Sequence, residues 1–196
     1  GFRRFRMAAC GATVLKPIRV TMDAMDNHPH HPVDDLARIL SYQDAIDESA
    51  SIHEVASEMY AMSCWTPEFC AALIRAADLV GGYTSHQSDP VPGQEISLAA
   101  ISPSLFEAVQ NDMGARIWPQ LQKHWPLIDY HGINDAFIIR YEIGGQEELR
   151  IHHDVAQVSA SVKLNSDYLG AELQFPRQQF SNADMSVGSL IAWPSL

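Results

Sequence analysis

A chain of 196 residues with 46% apolar content is long enough for one domain with a sizeable core. Its net charge of −11 argues against a nucleic-acid partner, whose phosphates need basic patches, and no apolar run approaches the roughly 20 residues of a membrane span. Three cysteines (Cys10, Cys64 and Cys70) are too few and too odd in number for a disulfide framework, which favours a reducing compartment and makes the cytoplasm the expected location.

Charge is unevenly placed. Arg3, Arg4, Arg6, Lys16 and Arg19 precede every acidic residue, leaving residues 20–196 with eight basic against 24 acidic side chains. The basic start resembles a leader peptide only faintly, because the apolar stretch after it is short and interrupted by Gly11 and Thr13. Residues 1–33 are expected to be a disordered or non-native segment ending in Asn27-His-Pro-His-His-Pro32. Two prolines in that polar run read as a solvated linker rather than a histidine metal cluster. The Gly1 start and the end at Leu196, with no turn or tail character, both read as cut.

Residues 34–196 are expected to form a single domain. Asp34 to Met62 has helical composition, with Leu36, Ile39 and Leu40 as a short apolar stripe. Trp65 to Val80 is the clearest helix: Thr66 can cap it, Pro67 suits the first turn, and Gly81-Gly82 stops it. Cys64 and Cys70 have no CxxC or ligand-spaced histidine beside them and read as plain core or surface thiols. Ser102-Pro103 repeats the start signal. Leu105, Val109, Met113, Ile117 and Leu121 then recur every four residues, with a kink or end expected near Pro119.

From Asp135 the period changes to that of strands: Phe137–Tyr141, a Gly144-Gly145 turn, Leu149–Asp154, Val158–Leu164, Glu172–Phe175 and Ser189–Trp193. Helices first and closely spaced strands afterwards describe an α+β domain whose β half is a barrel or jelly roll. Within it, His152 and Asp154 stand two residues apart, a spacing that sends both side chains to one strand face and lets them meet on one ion. A second histidine would complete a 2-His-1-carboxylate triad with open metal positions. His153 points to the opposite face. Ser159, Ser161 and Lys163 likewise share a face, with Val158, Ala160, Val162 and Leu164 on the other.

The ordered set Arg140-Tyr141, a glycine turn, His152-His-Asp154, Val162-Lys-Leu-Asn165, Gly170-Ala-Glu-Leu-Gln-Phe175 and Gly188-Ser-Leu-Ile-Ala-Trp-Pro-Ser195 resembles the iron(II)/2-oxoglutarate oxygenases of the prolyl 4-hydroxylase and lysyl hydroxylase group. The match covers residues 135–196 well and extends loosely back to about Trp65. The resemblance implies a double-stranded β-helix (jelly-roll) core with supporting N-terminal helices. It makes His152 and Asp154 iron ligands and places Tyr141 near the 2-oxoglutarate site. It also puts the polar face of Ser161 and Lys163 inside the barrel, where Lys163 is expected to help bind the distal carboxylate of the cosubstrate.

The implied reaction hydroxylates an unactivated C–H bond, of a peptidyl proline or lysine or of a small molecule, with succinate and CO2 as co-products and ascorbate restoring oxidised iron. The chain departs from the pattern at Gly170-Ala171, where Gly-Gly is usual. It departs again after Trp193, where a distal histidine and a basic residue are expected and Leu196 follows instead. The last strands are therefore expected to be missing and the 196 residues alone to be inactive. His86, His124 and His131 are the upstream histidines that could stand in. Rival readings are a non-catalytic jelly-roll binding module and a hydrolytic zinc site, which normally shows a denser ligand set such as H-E-x-x-H. The acidic surface favours a basic or cationic partner.

Overall fold

The computed structural model describes residues 5–13, 32–85 and 93–195. Helix α1 (Pro32–Leu40) is followed by a 3₁₀ turn (Tyr42–Ala45) and a hairpin of β2 (His53–Ala56) and β3 (Met59–Ser63). This corrects the helical reading of 34–62. The last ten residues of that span bury Met59, Tyr60, Ala61 and Met62 by pairing β3 with a C-terminal strand, a partner that local composition does not reveal.

Helix α2 (Pro67–Val80) forms where its caps predict: the Thr66 hydroxyl accepts from the Phe69 N–H at 3.3 Å, and the chain leaves the helix at Gly81 with φ 65°. After β4 (Glu95–Ser97) and the short α3 (Leu98–Ile101), Ser102 caps α4 (Pro103–Asp112) by accepting from the Leu105 N–H at 3.2 Å. The expected kink is a π turn over Met113–Ile117, followed by α5 (Trp118–Leu121). Pro119 has no N–H to give back to the preceding turn and its ring needs room, which a widened turn supplies. The stripe Leu105, Val109, Met113, Ile117 and Leu121 stays buried through the irregularity.

The remaining strands are β5 (Ile133–Glu142), β6 (Val158–Lys163), β7 (Gln174–Phe175), β8 (Phe180–Ser181) and β9 (Ser189–Pro194). With β1 (Phe5–Thr13) they build a seven-stranded sheet in the order β2-β3-β9-β6-β1-β5-β4, beside a two-stranded ribbon of β7 and β8. Strand β1 is parallel to both its neighbours, and the other pairs are antiparallel. The reading of 1–33 as a disordered segment thus meets a strand at Phe5–Thr13, in the gap between β5 and β6. Residues 14–31, with their three histidines, lie outside the described residues.

One face of the sheet (Ala136, Ile138, Val158, Ala160, Val162, Leu190 and Ala192) packs on the helices and forms the main core. The opposite face holds two smaller apolar clusters. Phe137, Ile139 and Tyr141 of β5 make one, and Met59, Ala61 and Ile191 make the other, covered by Phe175, Phe180 and Trp193. Between these clusters runs the polar row Ser159, Ser161 and Lys163 of β6, all buried. The architecture is α+β, with helices on one face of a mostly antiparallel sheet and no closed barrel among the described residues. No described helix is long and apolar enough to cross a membrane.

Candidate metal centre

The strand expected over Leu149–Asp154 does not form. The Gly144 turn closes with the Glu142 N–H donating to the Gln146 carbonyl at 2.8 Å, but the next donor along that edge of β5, Arg140 N–H, is already bonded to the Gln94 carbonyl beside β4. With β4 on one edge and β1 on the other, β5 has no free ladder for a further strand, and residues 146–154 run as coil.

The pair nevertheless converges. His152 Nε2 lies 3.4 Å from Asp154 Oδ1, with side chains 34% and 14% exposed. Two adjacent ligands about 2.1 Å from one ion stand about 3 Å apart, so a metal fits between these atoms with little movement. The other atoms of both groups are already engaged. His152 Nδ1 is 2.9 Å from the Arg150 carbonyl, to which it donates in the tautomer that leaves Nε2 as the lone-pair nitrogen. Asp154 Oδ2 accepts from the Ser159 hydroxyl at 2.5 Å, and Ser159 in turn accepts from Ser195 at 2.6 Å. One nitrogen and one carboxylate oxygen therefore face each other, oriented from behind. They fit two of the three ligands that the triad requires.

Among the described residues no group of three His, Cys, Asp or Glu side chains comes together. His153 is exposed. His124 instead stacks on Tyr60, ring centroids 4.0 Å apart, His131 sits in a shallow cleft with Trp118 and Gln157, and His86 lies outside the described residues.

The expected cosubstrate residues share the sheet face over which the pair hangs. Tyr141 is buried near the end of β5, in the cluster against which Leu149, Tyr168 and Ala171 pack, and Ser161 is buried in the middle of β6. Lys163 is only 5% exposed. Its Nζ donates to the Asn182 carbonyl at 3.2 Å and the Ala183 carbonyl at 2.6 Å, and it lies 5.9 Å from the centre of the Tyr168 ring. These oxygens offset part of the cost of burying an ammonium, so its burial does not by itself demand an anion. Between Ser159 and Lys163 the row spans about 13 Å of strand. Sequence reasoning placed Ser159 on this face but gave it no role, and it missed Ser195. The face assignment was a signal for the former, whereas Ser195 reaches Ser159 only through the pairing of β9 with β6.

No family model matches the chain. Over 157 residues, 69% of its length, it is 23% identical to a protein described as "Procollagen lysyl hydroxylase and glycosyltransferase" from Acanthamoeba polyphaga mimivirus. The chain spans 16% of that relative's length. This likeness suggests a distant relation to that protein over a small part of its length.

Proposed function

We propose that the chain is the core of an iron(II)- and 2-oxoglutarate-dependent oxygenase on a double-stranded β-helix scaffold. Its reaction hydroxylates an unactivated C–H bond of a protein side chain, with peptidyl lysine or proline as the first substrates to try. The observation that carries this reading is the converging pair of His152 Nε2 and Asp154 Oδ1, 3.4 Å apart over the polar face of the sheet, with their outer atoms tied to Arg150 and Ser159.

Iron(II) at this pair, with a third ligand, would supply the coupling of 2-oxoglutarate decarboxylation to C–H hydroxylation, releasing succinate and CO2, with ascorbate keeping the metal reduced. The chain's own part is to bind and orient. Tyr141 and Ser161 offer hydroxyls on the same buried face. An ammonium carries three N–H bonds, two of which Lys163 gives to carbonyls, and the third is the proposed contact to the distal carboxylate of 2-oxoglutarate. Ser159, Ser161 and Lys163 are themselves buried, which strengthens a charge contact made there.

One observation favours a second reading, a non-catalytic jelly-roll binding module: only two candidate donors converge among the described residues. Anaerobic titration with Mn(II) or Fe(II), followed by 2-oxoglutarate and by free imidazole as a substitute third ligand, separates the two. The oxygenase reading expects weak metal binding that vanishes in His152→Ala. It expects no succinate from the 196 residues alone, succinate once imidazole is added, and 2-oxoglutarate binding weakened about tenfold or more in Lys163→Ala. Metal binding without succinate in the presence of imidazole would favour the binding module. Unchanged 2-oxoglutarate affinity in Lys163→Ala would remove that residue from the site.

A further inference from the structure

Coil, rather than a strand ladder, carries His152 and Asp154, so something other than β-sheet hydrogen bonding must fix the carboxylate. Two buried hydroxyls are placed to do it. Ser159 is 2% and Ser195 5% exposed, the first on β6 and the second one residue past the end of its antiparallel neighbour β9. Ser159 faces Trp193 across the ladder, which puts Ser195 on its diagonal and on the same face. The main chain holds this arrangement to its end, since the Ser195 N–H donates to the Gln157 carbonyl at 3.0 Å.

A hydroxyl has one proton to give. Ser159 gives its proton to Asp154 Oδ2, leaving its own oxygen to accept, and Ser195 supplies the donor. The chain of bonds thus runs in one direction and ends on an acceptor-only carboxylate, the arrangement in which each bond polarises the next. Its geometric effect falls on Asp154. With Oδ2 occupied, the carboxylate presents Oδ1 alone towards His152 Nε2.

We propose that Ser159, oriented by Ser195, is the positioning residue of the candidate metal centre, holding Asp154 so that it binds through one oxygen and leaves a coordination position open. This rests on the reading of His152 and Asp154 as metal ligands. Freed of Ser159, the carboxylate can rotate or close on the ion with both oxygens.

Cobalt(II) alone, with its visible absorption bands, is the probe, and isothermal calorimetry gives the affinity. Ser159→Thr and Ser159→Val have nearly the same shape and differ in the hydroxyl, so their comparison is not confused by packing. The threonine variant is expected to keep the wild-type spectrum and affinity. The valine variant is expected to lose about tenfold in affinity and to shift the bands, as loss of an outer hydrogen bond to a ligand does. Ser195→Ala should move both in the same direction by less. Equal spectra and affinities for the threonine and valine variants would overturn the positioning role while leaving the metal pair standing. Absence of cobalt binding by the wild-type chain would overturn the metal pair, and the proposal with it.

Discussion

Gly188 shows how much a single residue holds here. It takes φ 84°, its carbonyl accepts from the N–H groups of both Cys64 and Trp65, and its own N–H donates to the Lys163 carbonyl at 2.8 Å. A Cβ at this position would run into the Trp65 carbonyl. Left-handed strain and a backbone collision combine, so Gly188→Ala is expected to lower the unfolding free energy by about 3 kcal/mol or more, read from urea denaturation. A loss under about 1 kcal/mol would mean that the β6–β9 corner relaxes easily. Ala171, which stands where the expected pattern has its second glycine, also sits at positive φ (58°) and packs on the Tyr141 cluster, so the alanine there is strained.

At the scale of elements, a buried polar knot joins the helical layer. Arg116 on the π turn grips Asp112 with both Nε and Nη2 at 2.7 Å. Tyr42 donates to Asp112 at 2.9 Å and accepts from Trp65 Nε1 at 2.9 Å, and burial pushes the Tyr42 phenol far above its usual range. The π turn matters because it sets Arg116 against Asp112 where the proline-bearing helix begins. Asp112→Ala strands a largely buried guanidinium and is expected to cost about 3–5 kcal/mol in denaturant unfolding. Tyr42→Phe, which removes one donor and keeps the ion pair, should cost about 1 kcal/mol. Equal costs for the two variants would show that the ion pair adds nothing beyond the tyrosine bond.

For the whole molecule, two buried cysteines predict a response to pH. Cys64 and Cys70 are free thiols buried in the main core, and burial pushes both from near 9 up to about 12. A thiol that ionises later in the folded state than in the unfolded one stabilises fully below the unfolded value. That stability is lost as pH rises through the window from about 9 to about 12, because the unfolded chain releases its protons first. Unfolding free energy should fall by up to about 1.4 kcal/mol per pH unit for each thiol in that window. Cys70→Ala should shed its share of the slope. An identical slope in that variant would sink the argument.

The helix starts at Thr66 and Ser102, the change of period after Asp135 and the polar row of β6 are all legible in the order of residues. Caps, turns and two-residue alternation are local physics and need no distant partner. The sequence also singled out His152 and Asp154, whose convergence survives without the strand that was to carry it, because an extended backbone of any kind brings side chains two residues apart to one side. The tertiary structure decided what depends on which edges and faces are already taken. It made 53–63 a hairpin because β9 was there to pair with, and denied Leu149–Asp154 a strand because β4 and β1 occupy both edges of β5. It set β1 between β6 and β5, and it brought Ser195 of a distant strand onto Ser159 behind the carboxylate. Pairing between segments far apart in the chain leaves no periodic trace in either of them, and for that reason these features belong to the fold alone.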